Sequence, residues 1–363
     1  LSFMIQRVWI KQVRNLDEVF IDLANSKHCF INGDNNQGKT SILEAISLAI
    51  DLKSPLQDDL DKVLQEEKES LFVGIDFEDK EKERWYLKYK RKGKKEIYKN
   101  SKLITKTSQK DYFCEYISAD ALHIFQKDPD FRRKLLDRFC CLKSNDYEVA
   151  LKSYEKQLRQ KNKYLKQEKV DIIFLKTLNA GLAKQGAAIV EKRQEALVEI
   201  QAKVNEIIHE MQFIDKNVEI VYERKRIENT EDTSYEEIFY KTLNEDMEKE
   251  RILKYTLSGP HRDDFKLLLA SKYIFDFYSR GINRSFAILF QLAQILCLKD
   301  NKTCLCLLLD DTFAEIDHDN KEKILSFMKR SMQLFYASTK HETAIIEGDE
   351  KLIEVKKGKV VSG

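Results

Sequence analysis

At 363 residues the chain is long enough for one large or two medium domains with a real core, and it offers no apolar run of about 18 residues that would span a membrane. Charged residues make up 34% of it, yet the net charge is only +2, so any attraction to nucleic acid has to come from local patches. Seven cysteines, with no C-x-x-C pair and no histidine at zinc spacing, argue against a disulfide framework or a zinc site and read as reduced thiols of a cytosolic protein.

In chain order, residues 3–10 and 17–24 read as two strands of a hairpin joined by the basic turn Lys11-Gln12-Val13-Arg14-Asn15. The first ten residues lack the pattern of a secretory leader, and Met4 is where a natural start is expected. Cys29-Phe30-Ile31 reads as a buried strand running into Gly33-Asp34-Asn35-Asn36-Gln37-Gly38-Lys39-Thr40, which has the phosphate-loop spacing G-x-x-x-x-G-K-[ST]. Ile42, Leu43, Ala45, Ile46, Leu48, Ala49 and Ile50 follow as an apolar helical run, so both flanks are those the motif requires. Glycines at both ends let the backbone fold tightly around a phosphate, with N–H groups and a helix N-terminus aimed at it. Gly33, Asn35, Asn36, Gln37, Gly38, Lys39, Thr40 and Ser41 are therefore the expected nucleotide-binding residues. Lys39 is expected at the β- and γ-phosphates and the Thr40 hydroxyl on Mg²⁺.

Residues 56–70 are acidic and read as helical, and 71–77 and 84–89 alternate as strands. The stretch 88–95 gathers Lys88, Lys90, Arg91, Lys92, Lys94 and Lys95, with Trp85, Tyr86 and Tyr98 nearby. Two readings stand side by side: a contact to the phosphate backbone of DNA through Lys90, Arg91, Lys92, Lys94 and Lys95, or a charged edge that blocks sheet aggregation. From 131 to 210 the pattern changes to long helices, with turn signals only at 179–186. Lys152, Lys156, Arg159, Lys161, Lys163, Lys166 and Lys169 face only Glu155 and Glu168 within 152–169, an excess of one sign that favours DNA over a merely solvated face. Residues 223–250 are polar and read as loop mixed with helix. The expected organisation is an α/β ATPase part, 1–130 and 250–363, with a helical lobe, 131–249, inserted in it.

The run Cys304-Leu305-Cys306-Leu307-Leu308-Leu309-Asp310-Asp311 reads as a buried parallel strand ending in two carboxylates. Paired with a phosphate loop this is a Walker B element, with Asp310 on Mg²⁺ and Asp311 orienting the attacking water; Lys39, Asp310 and Asp311 form the expected catalytic set. Before it, Ser279-Arg280-Gly281-Ile282-Asn283-Arg284 precedes a helix with apolar spacing at Phe286, Leu289, Phe290, Ala293 and Leu296. Ser279 and Gly281 at a helix N-terminus form either an ordinary N-cap or a second anion site. The order decides for the second, because ABC-type ATPases place a signature motif between these elements, where it caps the γ-phosphate held by the other subunit.

On these motifs the chain resembles the RecF family, ABC-type ATPases of bacterial recombinational repair, nearly end to end. Arg14-Asn15 is similar to the family's start. Ile117-Ser118-Ala119-Asp120-Ala121-Leu122 with Pro129, Arg132-Arg133 and Leu136-Asp137 is similar to its F-S-P-x-D-L and P-x-x-R-R-x-x-L-D segment. Ser258-Gly259-Pro260-His261-Arg262-Asp263-Asp264-Phe265 resembles its G-P-H-R-D-D stretch, and residues 307–317 its Walker B and D-loop. The resemblance implies an ATPase head related to those of Rad50 and SMC proteins, with a compact helical lobe in place of long coiled coils. It implies ATP and Mg²⁺ as cofactors, an ATP-dependent homodimer on double-stranded DNA near gap junctions, and help in loading RecA through RecR, with RecO in the same pathway. By matching positions, Arg14 is expected on the nucleotide, Ser118 in the Q-loop place near the metal, Asp317 in the D-loop, and Thr339, rather than His341, at the switch position.

The departures from the family pattern are Asn36 for a glycine in the phosphate loop, Arg280, Ile282 and Asn283 in the signature, and Leu16 after Arg14-Asn15. Asp311, a methylene shorter than the glutamate common in ABC enzymes, predicts slow turnover, stimulated by DNA. Three other functions share the ATPase core: a tethering head with long heptad arms, for which 131–249 is too short; a transporter's coupling subunit, which would lack the 259–264 stretch; and a nucleotide-binding scaffold without hydrolysis.

Overall fold

The computed structural model describes residues 4–24, 26–78, 82–104, 112–123, 125, 128–226, 234–298, 303–339 and 350–362. They fall into two compact units, one within residues 1–122, 280–288 and 298–363, the other within 123–279 and 289–297. These limits differ from the sequence boundaries at 130 and 250: residues 250–279 cluster with the helices, because a strand beginning at Asp264 pairs with one at 218–223.

In the first unit, β1 (Met4–Val13) and β2 (Leu16–Asp22) form the expected hairpin, but its turn is only Arg14-Asn15, and Lys11 lies in the strand, paired with Glu18. Then come β3 (His28–Asn32) and α1 (Lys39–Asp51). β4 (Ser70–Glu78), β5 (Lys82–Lys90), β6 (Lys95–Lys99) and β7 (Lys102–Ile104) continue an antiparallel sheet in the order β2-β1-β4-β5-β6-β7. Period-two burial of Leu71, Val73, Ile75 and Phe77 in β4, and burial of Ile5, Val8, Ile10 and Val13 in β1, whose pairing with β4 shifts register between Ile5 and Arg7, put one face of this sheet into the core. Residues 56–70 are not a helix. A single 3₁₀ turn at Leu60–Lys62 interrupts a chain that runs along the end of β1, where Val13 bridges Leu64 and Arg14 N–H donates to Val63 O at 2.8 Å. Tertiary pairing wins there over an acidic sequence with no buried stripe.

The second sheet of this unit is built from β3, from β8 (Tyr112–Ser118) and, after the helical unit, from the last four strands of the chain. In the helical unit lie α2 (Pro129–Lys143), α3 (Asn145–Tyr164), α4 (Ile172–Glu210), β9 (Val218–Glu223), α5 (Tyr235–Glu245), α6 (Met247–Leu253), β10 (Asp264–Leu269), β11 (Lys272–Tyr273) and α7 (Ile274–Phe277). α8 (Arg280–Cys297) gives its first half to the first unit and its second to the other. β12 (Thr303–Asp310), α9 (His318–Ser331), β13 (Gln333–Ser338), β14 (Glu350–Lys356) and β15 (Lys359–Ser362) complete the chain. The resulting order is β15-β14-β3-β13-β12-β8, parallel from β14 to β8. Every residue of β3 and β13 is buried, as expected of central parallel strands, which read as continuous apolar runs.

The helices carry the start signals their sequences announce: Pro129 opens α2, Ser144 and Asp171 cap α3 and α4, and Ser234 with Glu237 forms a capping box on α5. The turn signals at 179–186 do not break α4. Asn179 is fully buried and donates to Leu243 O (3.2 Å) and Asn244 Oδ1 (3.0 Å). A β-carbon on Gly186 would stand 2.6 Å from the Phe239 ring, so this glycine serves close packing of α5 on α4. Lys161, counted among the surface cations of 152–169, is fully buried and paired with Glu250 at 2.6 Å.

Candidate nucleotide site

The parallel register sets the site before any side chain is considered. Asn32 lies opposite Ser338, Ala337 opposite Asp310, and Asp310 opposite Ser118, so the carboxyl ends of β3, β13, β12 and β8 line up along one edge. In α/β sheets that edge is where ligands bind. Gly33 to Gly38 leave β3 there and α1 begins at Lys39.

The loop conformation explains its residues. Gly38 has φ +113°, and a β-carbon on it would meet Leu16 Cδ2 at 2.7 Å; on Gly33 it would meet Val355 O at 2.5 Å. Asn36, where the resemblance has glycine, is left-handed at φ +61°, a conformation that asparagine tolerates better than most residues. Gly38 supplies no side-chain cap, and the first turn of α1 carries no acid, so its N–H groups are left for an anion. Lys39 is buried along the loop and donates from Nζ to Gly33 O (2.8 Å) and Asp34 O (2.9 Å).

Thr40 and Asp310, read as metal-holding residues, come together: Thr40 Oγ1 donates to Asp310 Oδ2 at 2.8 Å. The same oxygen accepts the Tyr116 hydroxyl at 2.8 Å, while Asp310 Oδ1 is buried without a hydrogen-bond partner. An orphaned carboxylate oxygen beside a threonine hydroxyl is a donor set that fits Mg²⁺. Ser118 sits across from Asp310, and Ala119 N–H donates to Asp310 O at 3.0 Å. Asp311 follows in a left-handed turn, φ +46°, with its N–H on Ala337 O at 3.0 Å. Thr339 directly follows β13 at this edge; His341 lies outside the described residues.

Arg14 stands near α1 but is engaged by Glu44, to which its Nε and Nη2 donate at 2.8 and 2.9 Å, and by Lys62 O at 2.7 Å. Its neighbour Asn15, quoted from the sequence only within the family-like start Arg14-Asn15 and given no role there, donates from its side chain to Asn36 O (3.3 Å) and accepts from Ser41 Oγ (2.9 Å). The turn between β14 and β15 was also missed. Lys357 N–H donates to Gln37 Oε1 at 2.6 Å and Gly358 N–H to Gln37 O at 2.9 Å, so this hairpin buttresses the phosphate loop. No local motif marks either contact, because each joins segments far apart in the chain.

Ser279 immediately precedes α8. In the first turn of that helix, a β-carbon on Gly281 would approach Glu315 O to 2.9 Å, and Arg284, buried, donates to Ala314 O at 2.6 Å and pairs with Glu315 at 3.3 Å. The start of α8 is thus tied to the loop after β12. Asp317 ends that loop as the N-cap of α9, accepting from Asn320 N–H at 3.0 Å.

The basic hairpin is divided in use. Lys90, Lys92 and Lys94 are exposed. Arg91 donates to Lys68 O and Gln65 O, and Lys95 to Leu52 O at the end of α1, so these two serve the fold.

The two segments most like the RecF pattern outside the ATPase motifs meet within the helical unit. Arg132 grips Asp264 through two 2.7 Å bonds, Arg133 donates to Asp263 O at 2.8 Å, and Arg193 joins Asp137 (2.8 and 2.9 Å) to Pro260 O (2.7 Å). His261 Nδ1 lies 2.7 Å from the Tyr154 hydroxyl. All of these contacts are internal to the unit.

A phosphate loop and a carboxylate-tipped strand on a parallel sheet flanked by an antiparallel one define an ABC-type P-loop ATPase head. A family model described as an AAA domain matches residues 7–219. The DNA replication and repair protein RecF of Oenococcus oeni is 30% identical over 376 residues, covering 98% of each chain, and that of Clostridium tetani 30% over 363 residues, covering 96% of each. A solved structure of "the recombination mediator protein RecF-ATP in RecFOR pathway" superposes with a TM-score of 0.83 at 25% identity, covering 99% of this chain and 97% of that one. An Smc head domain from Pyrococcus furiosus shares the fold, with a TM-score of 0.55 at 15% identity, over 100% of this chain and 96% of that one. The chain belongs to the RecF family of DNA replication and repair proteins.

Proposed function

We propose that this chain binds ATP with Mg²⁺ at the loop of residues 33–41, hydrolyses it slowly, and acts as an ATP-dependent dimer on double-stranded DNA in recombinational repair, assisting RecA loading through RecR with RecO. The observation that carries the reading is the meeting of Thr40 with Asp310, 270 positions apart, at the carboxyl edge of the sheet with one Asp310 oxygen unpartnered. Thr40 and Asp310 would hold the metal with Ser118 nearby, and Mg²⁺ bound there would neutralise charge on the β- and γ-phosphates. Lys39, released from Gly33 O and Asp34 O, would place its charge on the same phosphates. Asp311 would orient water, and its short side chain supports slow turnover.

Ser279 and Gly281 would cap the γ-phosphate of a second copy, and the tie from Arg284 to the 314–315 loop supports coupling of that cap to the Walker B strand. Lys90, Lys92 and Lys94 supply cations for the DNA backbone. The test is the mass in solution by light scattering without nucleotide, with ADP, and with ATP on the Asp311→Asn variant. A dimer formed only with ATP, and lost on Ser279→Arg, is expected. A mass unchanged by ATP would leave a nucleotide-binding scaffold instead.

A further inference from the structure

We propose that Tyr116 is a positioning residue for the metal-binding carboxylate: it fixes the rotation of Asp310 so that Oδ1 is presented to the cation. The inference rests on the Mg²⁺–ATP reading above. Tyr116 and Ser118 point to the same face of β8, and β8 pairs with β12 so that Asp310 is opposite Ser118 and Leu308 opposite Tyr116. The tyrosine therefore reaches forward by one pleat to the carboxylate.

Asp310 Oδ2 then accepts two hydroxyls, from Thr40 and Tyr116, each at 2.8 Å, which occupies its lone pairs. Oδ1 accepts none and is buried. A carboxylate turns readily about its last torsion, which is broad and two-fold, so a single donor would leave the two oxygens nearly interchangeable. The second donor removes that freedom. Thr40 alone would leave that freedom, since either carboxylate oxygen can accept its single proton. The Tyr116 hydroxyl supplies the proton of this bond and the Asp310 carboxylate accepts it.

Tyr116→Phe removes the hydroxyl and keeps the ring. A fluorescent ATP analogue titrated into the full chain, in Mg²⁺ and in EDTA, reads the metal-dependent part of binding, and Mn²⁺ resonance with bound nucleotide reads the ion directly. Loss of a hydrogen bond to a charged group predicts about tenfold weaker binding of analogue and of Mn²⁺ when metal is present, and unchanged affinity in EDTA. In an Asp310→Asn background the same substitution is expected to change nothing. Equal losses with and without metal, or full retention of metal-dependent binding, would overturn the role of Tyr116 alone. Failure of the unsubstituted protein to bind the analogue under either condition would overturn the ATP reading and this proposal with it.

Discussion

Gly358 is packed so closely on Asn15 that a β-carbon added to it would stand 2.1 Å from the Asn15 carbonyl oxygen. The glycine also has φ +73° and holds Gln37 through its N–H, while Asn15 holds Asn36 and Ser41. Gly358→Ala therefore strains both the turn and the hairpin against which the phosphate loop rests. A left-handed non-glycine residue costs about 1–2 kcal/mol, and strain of that size passed to the loop weakens nucleotide binding by roughly tenfold. Titration with a fluorescent nucleotide checks it; an affinity within twofold of the original would show that the hairpin is not coupled to the loop.

Arg193 is buried with Asp137, Tyr147 and Pro260 O around it. Arg193→Met leaves the half-buried Asp137 carboxylate with the Tyr147 hydroxyl but without its charged partner, which predicts a loss of about 3 kcal/mol of stability in urea unfolding. Replacing both partners, Arg193→Met with Asp137→Leu, is expected to recover much of that loss. A single-variant loss under 1 kcal/mol would mean that the pair is dispensable.

The phosphate loop, the Walker B strand and their flanks were legible because each is a local pattern of fixed spacing with an apolar period beside it. The long-range partners were not. Lys161 reads as one more surface lysine because Glu250, which makes its burial tolerable, is 89 positions away, and nothing in residues 152–169 announces it. Asn179 and Gly186 read as turn residues, since their local preference is for turns, whereas buried amide bonds and a ring contact keep them helical. Tyr116, Asn15 and the 357–358 turn belong to the site through sheet register and hairpin packing, which a single sequence does not spell out.

The unequal use of the basic hairpin separates the side chains proposed for DNA from those that serve the fold. Lys90, Lys92 and Lys94 changed together to alanine should leave thermal stability nearly unchanged and reduce the salt dependence of duplex binding by about three counterions' worth, a slope change of roughly 2.7. Arg91→Ala, which removes the donor to Lys68 O and Gln65 O, should lower stability by about 1–3 kcal/mol instead. Filter binding across a salt series, with melting curves of both variants, checks the pair. An unchanged slope in the triple variant would leave the charged-edge reading of this hairpin.

His261 ties the helical unit to pH. Burial, the largest cause, lowers its pKa to about 3, against 6.5 for the ordinary side chain. Its Nδ1 faces the Tyr154 hydroxyl and its Nε2 faces Thr256 O, contacts suited to the neutral ring with its proton on Nε2. Because the folded value is the lower one, the unfolded chain takes up the proton first. The neutral histidine therefore costs nothing above pH 6.5, and stability is lost as pH falls from 6.5 towards 3. At pH 5 the loss is about 2 kcal/mol. His261→Gln can still accept from Tyr154 but does not titrate, so the difference in unfolding free energy between it and the unsubstituted protein should shrink by about that amount between pH 7.5 and pH 5. A difference that stays constant over this range would show that His261 takes up its proton equally in the folded and the unfolded chain, so that burial does not depress it and another group drives whatever acid sensitivity the protein has.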